Sequence, residues 1–238
     1  MRVKRDVIKV LLLLLLIGAL LGFTIKRNDD RKIMLGTIEF TGDENHYITH
    51  DAVNKLLIQN GVDTTGTSKE TIDLNELEKA LNSNKMIQEA QVFITVNGRL
   101  EAKIEQRTPT ARVIVGDRHF YIDDQGKEMP LSPYYSARVP IVRGADSPKA
   151  MQEVYQMAKA VQQNDFMRQN VVGITFNDGL ELQMRDRDLV VLFGKAEQFD
   201  EKVNKLKAFY KKGLKDNALN SYRTVNLKYN KQVVCTKK

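Results

Sequence analysis

The sequence predicts an α+β protein in three parts: one transmembrane helix, a small domain ordered strand-helix-helix-strand-strand, and a second domain made of a mixed β-sheet with flanking helices. Three observations carry this. An apolar run near the N-terminus is long enough to cross a membrane once, and the hydrophobic period after it switches repeatedly between 3.6 and 2. The composition, 42% hydrophobic and 28% charged without tryptophan, is that of a folded protein. A chain of 238 residues has room for two small domains after a membrane segment.

Val7 to Ile25 is interrupted only by Lys9 and contains six consecutive leucines, Leu11 to Leu16. At about 1.5 Å per residue it reaches ~28 Å, the thickness of the hydrocarbon layer. A cleavable signal peptide is the competing reading, since Arg2, Lys4 and Arg5 precede the run. No small-x-small cleavage site closes it, so a retained anchor is expected. Basic residues flank both ends equally, and orientation follows from size: a tail of a few residues stays in the cytoplasm and the folded body is translocated. Gly18 and Gly22 form a GxxxG pattern that a leucine-rich span acquires easily by chance. The expected organisation is a cytoplasmic tail at 1–6, the anchor at 7–25, a linker at 26–35, and domains at 36–107 and 108–238.

In the first domain Ile38 and Phe40 alternate with polar residues and end at Gly42, which reads as a strand. Thr49 is placed to cap a helix with an apolar stripe of Ala52, Val53, Leu56 and Leu57, stopped at Gly61. Asp73 followed by Glu76 starts a second helix with Leu74, Leu77 and Leu81 on one face. Val92, Ile94 and Val96, then Asn97-Gly98, then Leu100, Ala102 and Ile104 predict a hairpin with a type I′ turn.

In the second domain 112–115 and 120–122 read as short strands, followed by a turn at Asp123-Asp124-Gln125-Gly126. Ser147-Pro148 opens an amphipathic helix carrying Met151, Val154, Tyr155, Ala158 and Val161. Val171 to Phe176 and Leu180 to Met184 form a hairpin, with a further strand over Leu189 to Phe193. A last helix runs from Ala196 to Gly213 with lysines 202, 205, 207, 211 and 212 solvating its outer face. Val225, Leu227 and Tyr229 then start one final strand running toward Val234, with nothing after it to cover it.

The charge distribution argues against nucleic acid as a partner. The net charge of +7 divides into +5 over residues 1–32, −6 over 33–194 and +8 over 195–238, so most of the body is mildly acidic. Enzyme chemistry finds no foothold. Gly61 to Ser68 imitates a phosphate-binding loop, but Thr67 stands where the motif needs lysine. His46 and His50 have metal-ligand spacing without a third ligand, and His119 reads as a strand surface residue. Asp123 and Asp124 read as a turn rather than a carboxylate pair. The lone Cys235 has no disulfide or zinc partner. No catalytic residue, cofactor, metal or small-molecule substrate is expected.

Gly36-Thr37-Ile38-Glu39-Phe40-Thr41-Gly42 opening a strand-helix-helix-hairpin unit beyond a single anchor resembles a POTRA domain. The later runs Glu105-Gln106-Arg107-Thr108-Pro109-Thr110-Ala111, Tyr121-Ile122-Asp123-Asp124-Gln125-Gly126, Val139-Pro140-Ile141-Val142-Arg143-Gly144 and Asn226-Leu227-Lys228-Tyr229 resemble, in order, the signatures of the bacterial cell-division family FtsQ. The resemblance implies a non-enzymatic scaffold of the division machinery: a type II single-pass protein of the inner membrane with its body in the periplasm at the septum. It implies binding of FtsB, and FtsL through it, at the C-terminal sheet, and of other division proteins at the POTRA domain. An uncovered terminal strand can take a partner strand by β-augmentation. The expected site is therefore Tyr229, Asn230, Lys231, Gln232, Val233 and Val234, with Lys195 at the start of the last helix complementing an acidic partner. The rival reading is a POTRA-containing transport or outer-membrane assembly factor.

Overall fold

The computed structural model describes residues 2–29, 32–42, 47–63, 66–68, 71–185, 189–229 and 232–238. His46, Asn230 and Lys231 lie outside these residues. The chain divides into two compact units, Met1–Gln106 and Arg107–Lys238.

The first unit begins with helix α1, Arg2–Asp29. Its segment Lys9–Arg27 has mean hydropathy 2.2, is wholly exposed, and is long and apolar enough to cross a membrane once. The helix overruns the expected span at both ends, and Lys26 and Arg27 in its last turn oppose the negative end of the helix dipole. Strand β1 (Lys32–Thr41) therefore starts four residues before Gly36, inside the stretch expected to be a linker.

Helices α2 (His50–Gln59) and α3 (Leu74–Asn82) follow, separated by a two-residue strand, β2 (Thr67–Ser68). Thr49 caps α2 by accepting from the Ala52 N–H at 3.2 Å. Asp73 caps α3 by accepting from Asn75 and Glu76 at 2.9 and 3.1 Å. Strands β3 (Ile87–Ile94) and β4 (Arg99–Gln106) complete the unit. Among the described residues the sheet order is β2-β1-β4-β3, with β1 and β4 parallel and the other pairs antiparallel. One face buries Ile38, Leu100, Ile104 and Val92 with Val53 and Leu57 of α2 and Leu77 and Leu81 of α3.

The phosphate-loop lookalike ends in strand β2: Thr67 is buried opposite Ile33, and its hydroxyl accepts from the Asp63 N–H at 2.7 Å. The hairpin turn is not type I′, because only Gly98, not Asn97, has positive φ. The Gly98 N–H donates to Thr95 O and the Thr95 N–H to Arg99 O, which makes a type I turn closed by a glycine bulge.

The second unit is a mixed sheet. Its strands are β5 (Pro109–Val115), β6 (Arg118–Asp123), β7 (Glu128–Pro130), β8 (Ile141–Arg143), β9 (Val171–Asn177), β10 (Gly179–Met184), β11 (Val190–Gly194), β12 (Tyr222–Asn226) and β13 (Val234–Lys237). Among the described residues they run in the order β13-β12-β11-β10-β9-β8-β5-β6-β7. Helix α4 (Pro148–Gln163) connects the parallel pair β8 and β9, and α6 (Phe199–Lys215) connects the parallel pair β11 and β12. Parallel neighbours need such crossovers. A short helix the sequence reading missed, α5 (Asp165–Asn170), is capped by Asn164 and sets Phe166 edge-on to Tyr210 of α6 at 5.4 Å. The core is one cluster in which Val113, Ile174, Leu182, Val191 and Val225 of the sheet meet Val154 and Val161 of α4 and Val203 and Leu206 of α6.

Gly213 is not the stop of the last helix. It lies inside α6, where a Cβ would come 2.5 Å from a Leu219 methyl carbon, so glycine serves close packing and the helix runs on to Lys215.

Candidate partner-binding edge

The last forty-odd residues build one end of the second sheet. β12 pairs parallel with β11, placing Val190 opposite Thr224 and Leu192 opposite Asn226. Val225 and Leu227 are buried while Thr224 and Asn226 are half-exposed, the alternation of a strand with one face on a core. The chain then turns back, and β13 pairs antiparallel with β12, Val234 opposite Asn226 and Lys237 opposite Tyr222.

This corrects the expectation of one terminal strand. Among the described residues of the run from Tyr229 toward Val234, Tyr229 is an exposed bend residue, Gln232 and Val233 precede β13, and Val234 opens it. β12 is covered, and β13 is the edge. The period-2 pattern of Val225, Leu227 and Tyr229 hides the turn because Leu227 is buried as a strand residue would be, although it lies just past the strand.

The geometry of β13 decides what it offers. Lys238 N–H donates to Ser221 O at 2.9 Å. In an antiparallel ladder alternate residues face the neighbour, so the N–H groups of Thr236 and Val234 also face β12, and those of Cys235 and Lys237 turn outward. Among the described residues no side chain is hydrogen-bonded to the β13 backbone. The Cys235 side chain packs half-buried against the core, where burial pushes its thiol pKa up. Thr236 and Lys237 are exposed.

Lys195 lies in the loop between β11 and α6, not in the helix, whose first residue is Phe199. It is exposed, with Glu197 3.9 Å away, and helps line a pocket of about 280 Å³ with Asp178, Gly194 and Lys228. Lys228 follows β12, so Lys195 sits at the same end of the sheet as the start of β13, where Val234 pairs with Asn226.

Sequence reasoning missed Lys202. Placed with the solvating lysines, it is 7% exposed and donates from Nζ to Phe193 O at 3.0 Å and Lys195 O at 2.8 Å, tying α6 to the end of β11. Its ammonium also lies 4.9 Å from the centre of the Phe193 ring. Desolvation lowers its pKa below the usual lysine value, with Glu197 and Glu201 opposing and Lys205 assisting. The unfolded chain therefore holds this proton more tightly than the folded one, so stability rises with pH between the lowered folded value and the ordinary value near ~10.4. Lys202→Met is expected to lose about 1–3 kcal/mol at neutral pH by orphaning two carbonyls, and to lack that alkaline rise. Urea midpoints of both proteins from pH 8 to 10.5 read the difference; parallel profiles would refute it.

The residues considered for chemistry are occupied otherwise. The His50 ring stands 4.7 Å from that of Phe40, and His119 is exposed on β6 opposite Ile114. Asp123 is fully buried: one carboxylate oxygen takes the Arg107 guanidinium at 2.6 Å, and the other takes the N–H groups of Gln125 and Lys127 at 3.0 and 2.7 Å. The adjacent Asp124 is exposed, and its carbonyl accepts from the Tyr155 hydroxyl.

No curated protein matches the chain. Two family models do: a POTRA-like domain over residues 40–105, and the model described as FtsQ/DivIB, C-terminal related, over residues 108–236. The second match takes in β5 through most of β13, more than half of the chain, and the protein belongs to the FtsQ/DivIB family.

Proposed function

We propose that the protein is a non-enzymatic scaffold of bacterial cell division, and that it binds FtsB, and FtsL through it, by adding a partner strand to β13. In this reading α1 anchors it once in the inner membrane with the body in the periplasm at the septum, and the POTRA-like region meets other division proteins. Membership of a cell-division family supports the scaffold role. The observation that carries the binding mode is the β13 edge, with outward N–H groups at Cys235 and Lys237 and no side chain hydrogen-bonded to them among the described residues. Gln232, Val233 and Val234 lead into that edge, and Tyr229 is exposed at the bend that follows β12. Asn230 and Lys231, also expected at this site, lie outside the described residues. Lys195 and Lys228 supply positive charge at the end where β13 begins, suited to an acidic flank on the partner.

Lys237→Pro removes one outward donor at an exposed position while leaving the residues that face β12 intact. Full-length chain in detergent is expected to lose at least about tenfold in affinity for FtsB on this change, and to keep it on Lys237→Ala. Equal binding by wild type and both variants would sink strand addition at this edge.

A further inference from the structure

The two sheets treat their edges differently. In the first unit β3 is an edge strand whose sequence, Ile87–Ile94, is rich in residues that favour pairing, with Phe93 36% exposed on the solvent face. Such an edge is a template for strand addition. It is not left open. The Val92 N–H donates to Glu78 Oε1 at 2.8 Å, and the Ala90 N–H donates to Asn82 Oδ1 at 2.8 Å. Asn82 also turns its amide nitrogen to Ala90 O, at 3.5 Å. Just before the strand, the Met86 N–H donates to Asn84 Oδ1 at 2.9 Å.

These contacts have a common origin. Glu78 and Asn82 are four residues apart on α3, hence on one side of the helix, and α3 packs along β3 through Leu77 and Leu81. Leu77 and Leu81 fill the core while their neighbours Glu78 and Asn82 reach the edge backbone. Ala90 and Val92 are two apart, so their N–H groups leave the strand on the same side, away from β4. The spacing of acceptors on the helix thus matches the spacing of outward donors on the strand.

We propose that Glu78 and Asn82 are side-chain plugs that keep the β3 edge closed to strand addition, above all to pairing with β3 of a second copy. An incoming strand would have to displace a charge-assisted bond at Val92 and a two-point amide contact at Ala90 before forming its own ladder. β13 carries no such plug among the described residues, so the fold closes one sheet edge and leaves another available. This inference stands on the first unit alone and does not depend on which partner β13 takes.

Amide hydrogen exchange on the full-length chain in lipid nanodiscs tests the plugs one at a time. Glu78→Ala is expected to speed exchange at Val92 at least tenfold with Ala90 unchanged, and Asn82→Ala to do the reverse. Glu78→Gln, which keeps an acceptor, is expected to restore protection at Val92. Faster exchange that extends to Leu77 and Leu81 would mean that the helix itself has come away, and unchanged exchange at Val92 would mean that Glu78 closes nothing; either overturns the proposal. The double variant Glu78→Ala, Asn82→Ala is expected to self-associate in detergent at concentrations where wild type does not, with protection regained at Ala90 and Val92. A double variant that stays as monomeric as wild type would overturn closure against a second copy.

Discussion

Asp123→Ala is expected to cost the second unit about 3–5 kcal/mol, a large share of the stability of a domain this size. The cost follows from what the side chain holds. Its carboxylate is fully buried and takes Nη1 of Arg107, whose side chain is 13% exposed and whose Nε has no acceptor among the described residues. Alanine would leave a desolvated guanidinium without its anion and would orphan the N–H groups of Gln125 and Lys127 that close the β6–β7 turn. Asp123→Asn keeps an acceptor for the two amides but not the charge, so its cost falls between. Thermal melting of the full-length chain reads the order: wild type, then Asn, then Ala, with the Ala variant lower by about 10 °C or more. If Asn proves as damaging as Ala, the charge pair dominates and the turn amides matter little. If both melt with wild type, the buried pair contributes nothing.

That carboxylate illustrates what was legible in the sequence. The turn at 123–126 could be read, because aspartate and glycine at that spacing carry their turn preference locally. The ion pair could not, since Arg107 is sixteen residues away and only the pairing of β5 with β6 brings it alongside. The same division runs through the molecule. Thr49, Asp73 and Ser147 were read as caps and are caps, because capping is decided within four residues. Lys202 was placed among solvating lysines because helical spacing alone does not tell a lysine over solvent from one folded back onto the end of a neighbouring strand. Gly213 resembled a helix stop because a glycine chosen for close packing and one chosen for left-handed φ are the same letter.

The candidate site suffered most from this limit. Val225 to Tyr229 carries a clean two-residue period, and the hairpin that follows has no glycine or proline to announce it. The edge is placed by long-range pairing, β12 beside β11 and β13 back along β12, which a local period does not carry. The edge expected at Tyr229–Val234 thus moves to Val234–Lys237, and Lys195, expected at the start of the last helix, lies in the loop after β11.

Gly144→Ala is expected to be the most damaging single methyl group in the second unit. Gly144 follows β8 with φ +74°, and a Cβ there would lie 2.2 Å from Phe176 O, inside any permitted contact. The neighbour is backbone of β9, held in register by Arg143 opposite Thr175, so it cannot swing aside as a side chain would. The left-handed conformation alone costs an alanine about 1–2 kcal/mol. Displacing the β8–β9 ladder comes on top, for a total on the order of 3 kcal/mol or more. Gly116→Ala separates the two contributions: that glycine also has positive φ, +54°, but nothing lies within 4 Å of its would-be Cβ. It is expected to lose only the conformational part. Melting of the two variants should therefore differ by several degrees in the direction of the Gly144 change. Equal losses would mean that β8 moves freely against β9, and that the tight approach at Gly144 is not what holds the middle of the sheet together.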